Sequence, residues 1–257
     1  SASATATRTI AVATANDPPT ISSSGTLSYA ENATATAINS SITLADDEAN
    51  WTGGTLAIQI TANNEASDTL SILTPSGGDV SISSTNISVS STQIASVNAI
   101  TATNNGTMTF TFNANATNAN IQTLARAIAY HSTSDNPSTS SRTVTFTLTD
   151  AASASATATH TIAVTAVNDA PTITANATTP TFTEGGGAIA VNGAFTLADV
   201  DTTNLSSATI TISNVQTDDV LSFSGSSTGF TVGNYNSGTG AITVSGAKTV
   251  AEYQTFL

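Results

Sequence analysis

Apolar residues alternate with small polar residues along most of the chain, with a period of two. In "TLAIQI", Leu56, Ile58 and Ile60 fall on one side of an extended chain, and "TVTFTLT" (143–149) and "TMTFTF" (107–112) repeat the pattern. Threonine fills many intervening positions, where β-branched residues suit a pleated surface. Turn sequences such as "TGG", "NNG" and "SGTG" separate these runs. The pattern predicts an all-β fold of short antiparallel strands arranged as β-sandwiches.

One type of segment departs from the period of two. In "NANIQTLARAIAY" (118–130), Ile121 and Leu124 begin a helical spacing, and Asn118 is placed to cap a helix. "TVAEYQTFL" (249–257) resembles this segment. We expect a short helix across one end of each of two sandwiches.

The chain repeats itself at a spacing of about 150 residues. "TRTIAVATANDPPTIS" (7–22) matches "THTIAVTAVNDAPTIT" (159–174) without a gap, and "ITLADDEANWTGGTLAIQI" (42–60) resembles "FTLADVDTTNLSSATITIS" (195–213). A repeat of this length indicates tandem domains.

The repeat divides the chain into three predicted segments. Residues 1–15 are read as the terminal strand of a preceding repeat, residues 16–168 as a complete repeat, and residues 169–257 as a second repeat truncated before its closing strands. A fragment of a longer tandem array is favoured over completion by a neighbouring chain.

Charge restricts the possible partners. The sequence has 17 acidic and 4 basic residues, a net charge of −13 and no cysteine. Nucleic acid and anionic membrane surfaces require basic clusters and are disfavoured, whereas divalent cations complement this composition. No apolar run is long enough to span a membrane, and without cysteine no disulfide contributes to stability.

The acidic residues concentrate in two linkers and at predicted strand ends, where oxygen ligands for calcium could gather. The linkers carry Asn16–Asp17 and Asn168–Asp169. The other candidate ligands are Glu31, Asp46, Asp47, Glu48, Asp135, Asp150, Asp199 and Asp201. Asp and Asn are also ordinary turn formers, so junctions held by hydrogen bonds alone remain the alternative.

The motifs "YAEN", "LADDE" and "LADVD", "FTLTD" and above all "VNDAP" occur in an order that resembles the bacterial cadherin-like repeats of giant surface adhesins. The resemblance covers essentially the whole chain and implies tandem Ig/cadherin-like β-sandwiches with calcium at their junctions. The long "DxNDN" linker and the "DRE" motif of animal cadherins do not occur, which leaves one ion per junction as an alternative to several.

A sandwich topology of this family sorts the candidate ligands into two groups. Asp46, Asp47, Glu48 and Asp150 are expected near Asn16–Asp17. Glu31 is expected to point toward Asn168–Asp169, where Asp199 and Asp201 arrive from the next repeat, and Asp135 is expected to join from below.

The resemblance implies an extracellular, calcium-stiffened stalk segment of a large bacterial surface adhesin or matrix protein, with neighbouring repeats as its partners. Two alternatives stay open: a surface layer, sheath or filament whose repeats associate laterally, and a spacer module of a secreted enzyme. No nucleophile elbow accompanies the serines and histidines, so we expect no enzymatic activity. His160 aligns with Arg8, and a surface role is expected for it.

Overall fold

A computed structural model describes residues 1–11, 15–47, 50–74, 79–191 and 193–257. The chain divides into two units, Ser1–Ala166 and Val167–Leu257, and each is described here by itself. Strands predominate in the described part of both units, and each described part has one short helix. The predicted all-β fold class is therefore confirmed.

The first unit contains fourteen strands and one helix in its described part. The elements are β1 (Thr20–Ser22), β2 (Thr26–Ala30), β3 (Thr36–Ala37), β4 (Thr43–Ala45), β5 (Thr55–Ala62), β6 (Asp68–Ile72), β7 (Val80–Ser83), β8 (Asn86–Val89), β9 (Thr92–Val97), β10 (Thr101–Thr103), β11 (Met108–Phe112), α1 (Asn118–Arg126), β12 (Ile128–Ser132), β13 (Arg142–Thr149) and β14 (Ser155–Thr165).

Three sheets organise these strands. The largest has the order β2-β14-β13-β5-β11-β9-β8-β7, a second has the order β10-β6-β12-β3, and β1 pairs with β4. All pairs are antiparallel except β2 with β14, which run parallel with Ile162 beside Leu27. The chain thus places a late strand next to an early one, at the edge of the largest sheet.

The core of the first unit draws on both larger sheets. The alternating residues of β5 and β13 that the sequence places on one side are buried, among them Leu56, Ile58 and Phe146. Leu70 of β6 and Tyr130 of β12 belong to the same buried cluster. Period-two alternation therefore identifies the inner face of each strand, because successive side chains point to opposite sides of a sheet.

A buried ionic network links the two larger sheets. Arg142 of β13 donates from Nε to Asp68 Oδ2 of β6 over 3.1 Å, and both side chains are fully buried. The Arg142 Nη2 donates to Glu65 Oε2 over 2.6 Å, and Tyr130 Oη donates to Asp68 Oδ1 over 2.6 Å. Burial lowers the pKa of Arg142, but the hydrogen bond and charge of Asp68, together with Tyr130 and Glu65, outweigh burial and leave that pKa raised overall.

The helix of the first unit differs from its prediction at both ends. Thr117 is the N-cap, and it forms a capping box with Asn120, so the expected capping role of Asn118 is wrong. Asn118 instead accepts a hydrogen bond from Trp51 Nε1. The helix stops at Arg126 because the next apolar residues, from Ile128 onward, pair in β12 with β6 and β3.

The second unit contains β15 (Thr172–Thr174), β16 (Thr196–Ala198), β17 (Asn204–Thr211), β18 (Thr231–Val232), β19 (Ala241–Thr249) and α2 (Val250–Phe256). β15 pairs with β16, and the other strands have the order β17-β19-β18. Thr249 caps α2 with Glu252 in a capping box, as Thr117 caps α1. None of the helices in the described part of the chain has the length and apolar content needed to cross a membrane.

Local contacts of the first unit recur in the second. Leu44 N–H donates to Gln122 Oε1 over 3.2 Å, and Leu197 N–H donates to Gln254 Oε1 over 2.9 Å. The strand pairs also correspond, since Ile21 faces Leu44 across β1 and β4 as Ile173 faces Leu197 across β15 and β16. Residues 1–11 form no strand, so their assignment to a preceding repeat stays a prediction.

Asp68→Asn should strongly destabilise the first unit. The substitution leaves the buried Arg142 with one carboxylate partner fewer, and breaking a buried ion pair costs about 3–5 kcal/mol. Urea unfolding followed by circular dichroism should show this loss of unfolding free energy. Asp79→Asn removes an equal charge from an exposed residue and should leave the unfolding midpoint nearly unchanged. Equal midpoints for the two variants would contradict the role given to the network.

Thr117→Ala should lower stability by about 1 kcal/mol, because it removes the side-chain acceptor of an N-cap. Thr123→Ala is the matched control within the same helix, where the Thr123 hydroxyl bonds to the Ala119 carbonyl. Alanine has the higher helix propensity at such an interior position. Thermal unfolding of both variants should therefore show a loss for Thr117→Ala and no loss for Thr123→Ala.

Candidate functional site

The first acidic linker is joined to the end of β13 by a hydrogen bond between side chains. Asn16 Nδ2 donates to Asp150 Oδ2 over 2.9 Å and also to the Asp17 carbonyl oxygen over 3.3 Å. The other Asp150 oxygen, Oδ1, accepts from the backbone N–H groups of Ala152 and Ala154 over 2.8 and 2.9 Å. Asp150 is 3% exposed, so this buried carboxylate is held by its own turn and by the linker.

These contacts set the protonation behaviour of Asp150. Burial raises the pKa of its carboxyl group, but the hydrogen bond from Asn16 and the backbone hydrogen bonds outweigh burial and lower that pKa below its ordinary value. The carboxylate is thus ionised at neutral pH and presents a fixed negative charge beside the linker.

The other residues predicted near this linker are less closely gathered. Asp46 is half-buried, and its carbonyl oxygen accepts from Asn118 Nδ2 over 2.9 Å. Asp17 and Asp47 are exposed, and Glu48 lies outside the described residues. Among the described residues of the first unit taken alone, no three acidic or histidine side chains lie close enough together to hold a metal ion. Of the predicted group, Asn16 and Asp150 are joined directly.

The opposite end of the first unit carries Glu31 directly after β2. Glu31 is 6% exposed, and its N–H donates to the carbonyl oxygen of Thr165, the last residue of β14, over 3.0 Å. The next residue, Asn32, has a φ of 56° and donates from Nδ2 to Asp135 Oδ1 over 2.8 Å. The structure therefore attaches Asp135 to the turn that follows Glu31.

In the second unit, three acidic residues are linked through the backbone. Asp169 N–H donates to Asp201 Oδ2, and Asp199 Oδ1 accepts from the N–H groups of Asp201 and Thr202 over 3.1 and 2.9 Å. The Thr202 hydrogen bond is the main cause of a lowered pKa at Asp199. Asn168 Nδ2 donates to the Asp169 carbonyl oxygen over 2.8 Å, which repeats the contact between Asn16 and Asp17.

One oxygen of this second cluster has no hydrogen-bond partner among the residues that the structure describes. Asp201 Oδ1 is buried, while Oδ2 of the same carboxylate accepts from Asp169. A buried carboxylate oxygen in this state favours a cation, because an unpaired charged group is costly away from water.

The expectation of a surface role for His160 is wrong. His160 is 5% exposed, its Nδ1 lies 3.0 Å from Ser23 Oγ, and Ser23 Oγ accepts from Asn39 Nδ2 over 2.8 Å. His160 lies on the same buried side of β14 as Ile162 and Val164. The alternation of the sequence therefore indicated that His160 is buried. The alignment with Arg8 obscured that signal, because arginine is typical of exposed positions.

The buried network around Arg142 was not anticipated from the sequence. Asp68 begins β6 and Arg142 begins β13, and the two residues are 74 positions apart in the sequence. Alternation places each residue on the buried side of its strand. Their distance from each other depends on how the two sheets face each other.

Comparison of the chain with models of known protein families finds no match, and the curated proteins compared with it include none of significant similarity.

Asn16→Ala should raise the pKa of Asp150, since the substitution removes one of the hydrogen bonds that stabilise the carboxylate. Because the folded pKa of Asp150 lies below its unfolded value, its contribution to stability is present above the ordinary pKa of 3.8 and is lost as pH falls through the folded pKa. An NMR titration of the Asp150 carboxyl carbon in both proteins measures the shift. An unchanged titration midpoint in Asn16→Ala would contradict the contact.

Proposed function

We propose that this chain is an extracellular structural and adhesion segment, in which Ig/cadherin-like β-sandwich repeats follow one another as a calcium-stiffened stalk of a large bacterial surface adhesin or matrix protein. The observation that carries the proposal is the recurrence of one acidic linker in both units. Asn16 bonds to the Asp17 carbonyl, and Asn168 bonds to the Asp169 carbonyl. The same local contact therefore precedes the first strand of each unit.

The recurrence extends beyond the linkers. The strand pairs β1–β4 and β15–β16 have corresponding registers, and each helix accepts a backbone N–H through a glutamine, Gln122 or Gln254. A chain that builds the same local structure twice in series is suited to spanning distance. This supports a mechanical role, with neighbouring repeats of the same chain as the partners.

Calcium is the cation that suits these linkers. It takes six to eight oxygen ligands, including carboxylates and backbone carbonyls. Asp169 and Asp201 would hold it in the second unit, where Asp201 Oδ1 is buried and has no hydrogen-bond partner in the described part of the chain. Bound calcium would supply positive charge that offsets the repulsion between the carboxylates.

In the first unit, Glu31 is a further candidate ligand of this proposal. Its backbone is bonded to Thr165, and Asp169 follows Thr165 by only four residues. Glu31 thus lies beside the end of β14, where the chain leaves the first unit. At the first linker the corresponding ligands would be Asn16, Asp17, Asp46, Asp47 and Asp150, with Glu48 in the position that aligns with Asp201.

Calcium titration by isothermal calorimetry tests the binding site. Extracellular calcium modules bind with dissociation constants of about 10⁻⁴–10⁻³ M, and calcium at 100 times that constant stabilises the bound state by about 2.7 kcal/mol. We expect the full chain to bind in this range and to melt at a higher temperature with calcium. Asp201→Asn should weaken binding at the second linker at least about tenfold, since it removes a charged ligand.

Asp218→Asn is the matched control, because Asp218 is an exposed acid of the same unit and its replacement changes the net charge equally. It should leave calcium affinity unchanged. Small-angle scattering with calcium and with chelator tests the mechanical role separately. Identical scattering profiles in the two conditions would refute stiffening by calcium even if the ion binds.

A further inference from the structure

Two segments of the chain have nearly the same sequence and different structures. Residues 1–11, "SASATATRTIA", and residues 153–163, "SASATATHTIA", differ only by Arg8 in place of His160. The second segment enters β14, between β13 and β2, whereas the first forms no strand and all its residues are exposed. Ile162 is 0% exposed and its counterpart Ile10 is 81% exposed. The local sequence is thus compatible with a strand, and the place between β13 and β2 that it could take in the first unit is filled by residues 153–163.

The surroundings of His160 suit a neutral ring. Ser23 Oγ accepts a hydrogen bond from Asn39 Nδ2, so its own proton is available to His160 Nδ1, 3.0 Å away. A ring that accepts at Nδ1 is uncharged. Burial lowers the pKa of His160, and no charged group among the described residues contributes to that shift. The site therefore offers a hydroxyl and an amide, both neutral.

An arginine could not replace this histidine without a new partner. Its guanidinium stays charged in proteins and carries five donors, and burial of an unpaired charge is strongly unfavourable. The first unit shows what a buried arginine requires, since Arg142 meets the carboxylates of both Asp68 and Glu65. His160 is bonded to Ser23 and has no carboxylate partner in the part of the chain that the structure describes.

We infer that the side chain at this one position selects which β-unit a strand completes: His160 admits residues 153–163 to the first unit, and Arg8 excludes residues 1–11 from it. The partner that fits residues 1–11 is a β-unit with a carboxylate where the first unit has Ser23. Successive units with nearly identical closing strands would exchange them readily, and a charge mismatch at one buried position prevents that exchange. This selection does not depend on calcium.

Arg8→His in the full chain tests the inference, because it makes residues 1–11 identical to residues 153–163. After unfolding and refolding at high protein concentration, we expect strand-exchanged dimers by light scattering and at least about tenfold slower hydrogen exchange of the amides in residues 1–11. Arg8→Lys keeps a charge at this position. That variant should remain monomeric, and its amides in residues 1–11 should exchange as fast as in the unmodified chain. Both variants change an exposed residue, so folding of the two units is not at risk. Identical behaviour of Arg8→His and Arg8→Lys would overturn the inference.

The reverse substitution supplies a second test. His160→Arg should reduce the exchange protection of β14 at least about tenfold, because it places an unpaired charge beside Ser23. Adding Ser23→Asp to that variant supplies a carboxylate partner and should restore much of the protection. A double variant no better protected than His160→Arg alone would show that charge pairing does not control the strand, and would overturn the inference.

Discussion

The ion pair between Arg142 and Asp68 is the interaction on which the arrangement of the first unit depends. Both side chains are fully buried, one on each of the two larger sheets, and neither charge could leave water without the other. Tyr130 adds a hydrogen bond from β12 to the same carboxylate. A one-residue slip of either strand would turn its charged group to the opposite face, so the pair fixes register and sheet placement together.

The acidic residues in turns also need partners for their carboxylates, and backbone N–H groups supply them. Asp150 and Asp199 satisfy their carboxylates with backbone N–H groups of the turns that they begin. Asp68 and Asp219 also make equivalent turns, each accepting at 2.8 Å from the N–H three residues earlier. Asp68 also pairs with Arg142 in the core of the first unit. The same local turn therefore places a buried charge in the first unit.

Charge therefore acts in this chain mainly at points where strands end or enter a sheet. The proposed calcium ligands are carboxylate and amide oxygens in and near the linkers. The charge of Arg142 joins two sheets through its ion pair with Asp68. At position 160 the absence of a nearby carboxylate among the described residues favours a neutral ring, and the aligned Arg8 stays in solvent. The outer faces of the strands between these points are rich in threonine, serine and alanine, which do not distinguish one strand from another.

The sequence alone determined the all-β class, the inward residues of β5 and β13 and the two short helices, because these depend on period, turn chemistry and local order. Tertiary structure decided the rest. The helix ends at Arg126 because β12 finds partners in β6 and β3, and the burial of His160 and Arg142 depends on which strands lie across from them. Residues 1–11 and 153–163 show most directly what local sequence cannot determine. Their sequences are nearly identical, but only residues 153–163 have strands to pair with and a buried site that accepts the side chain at position 160.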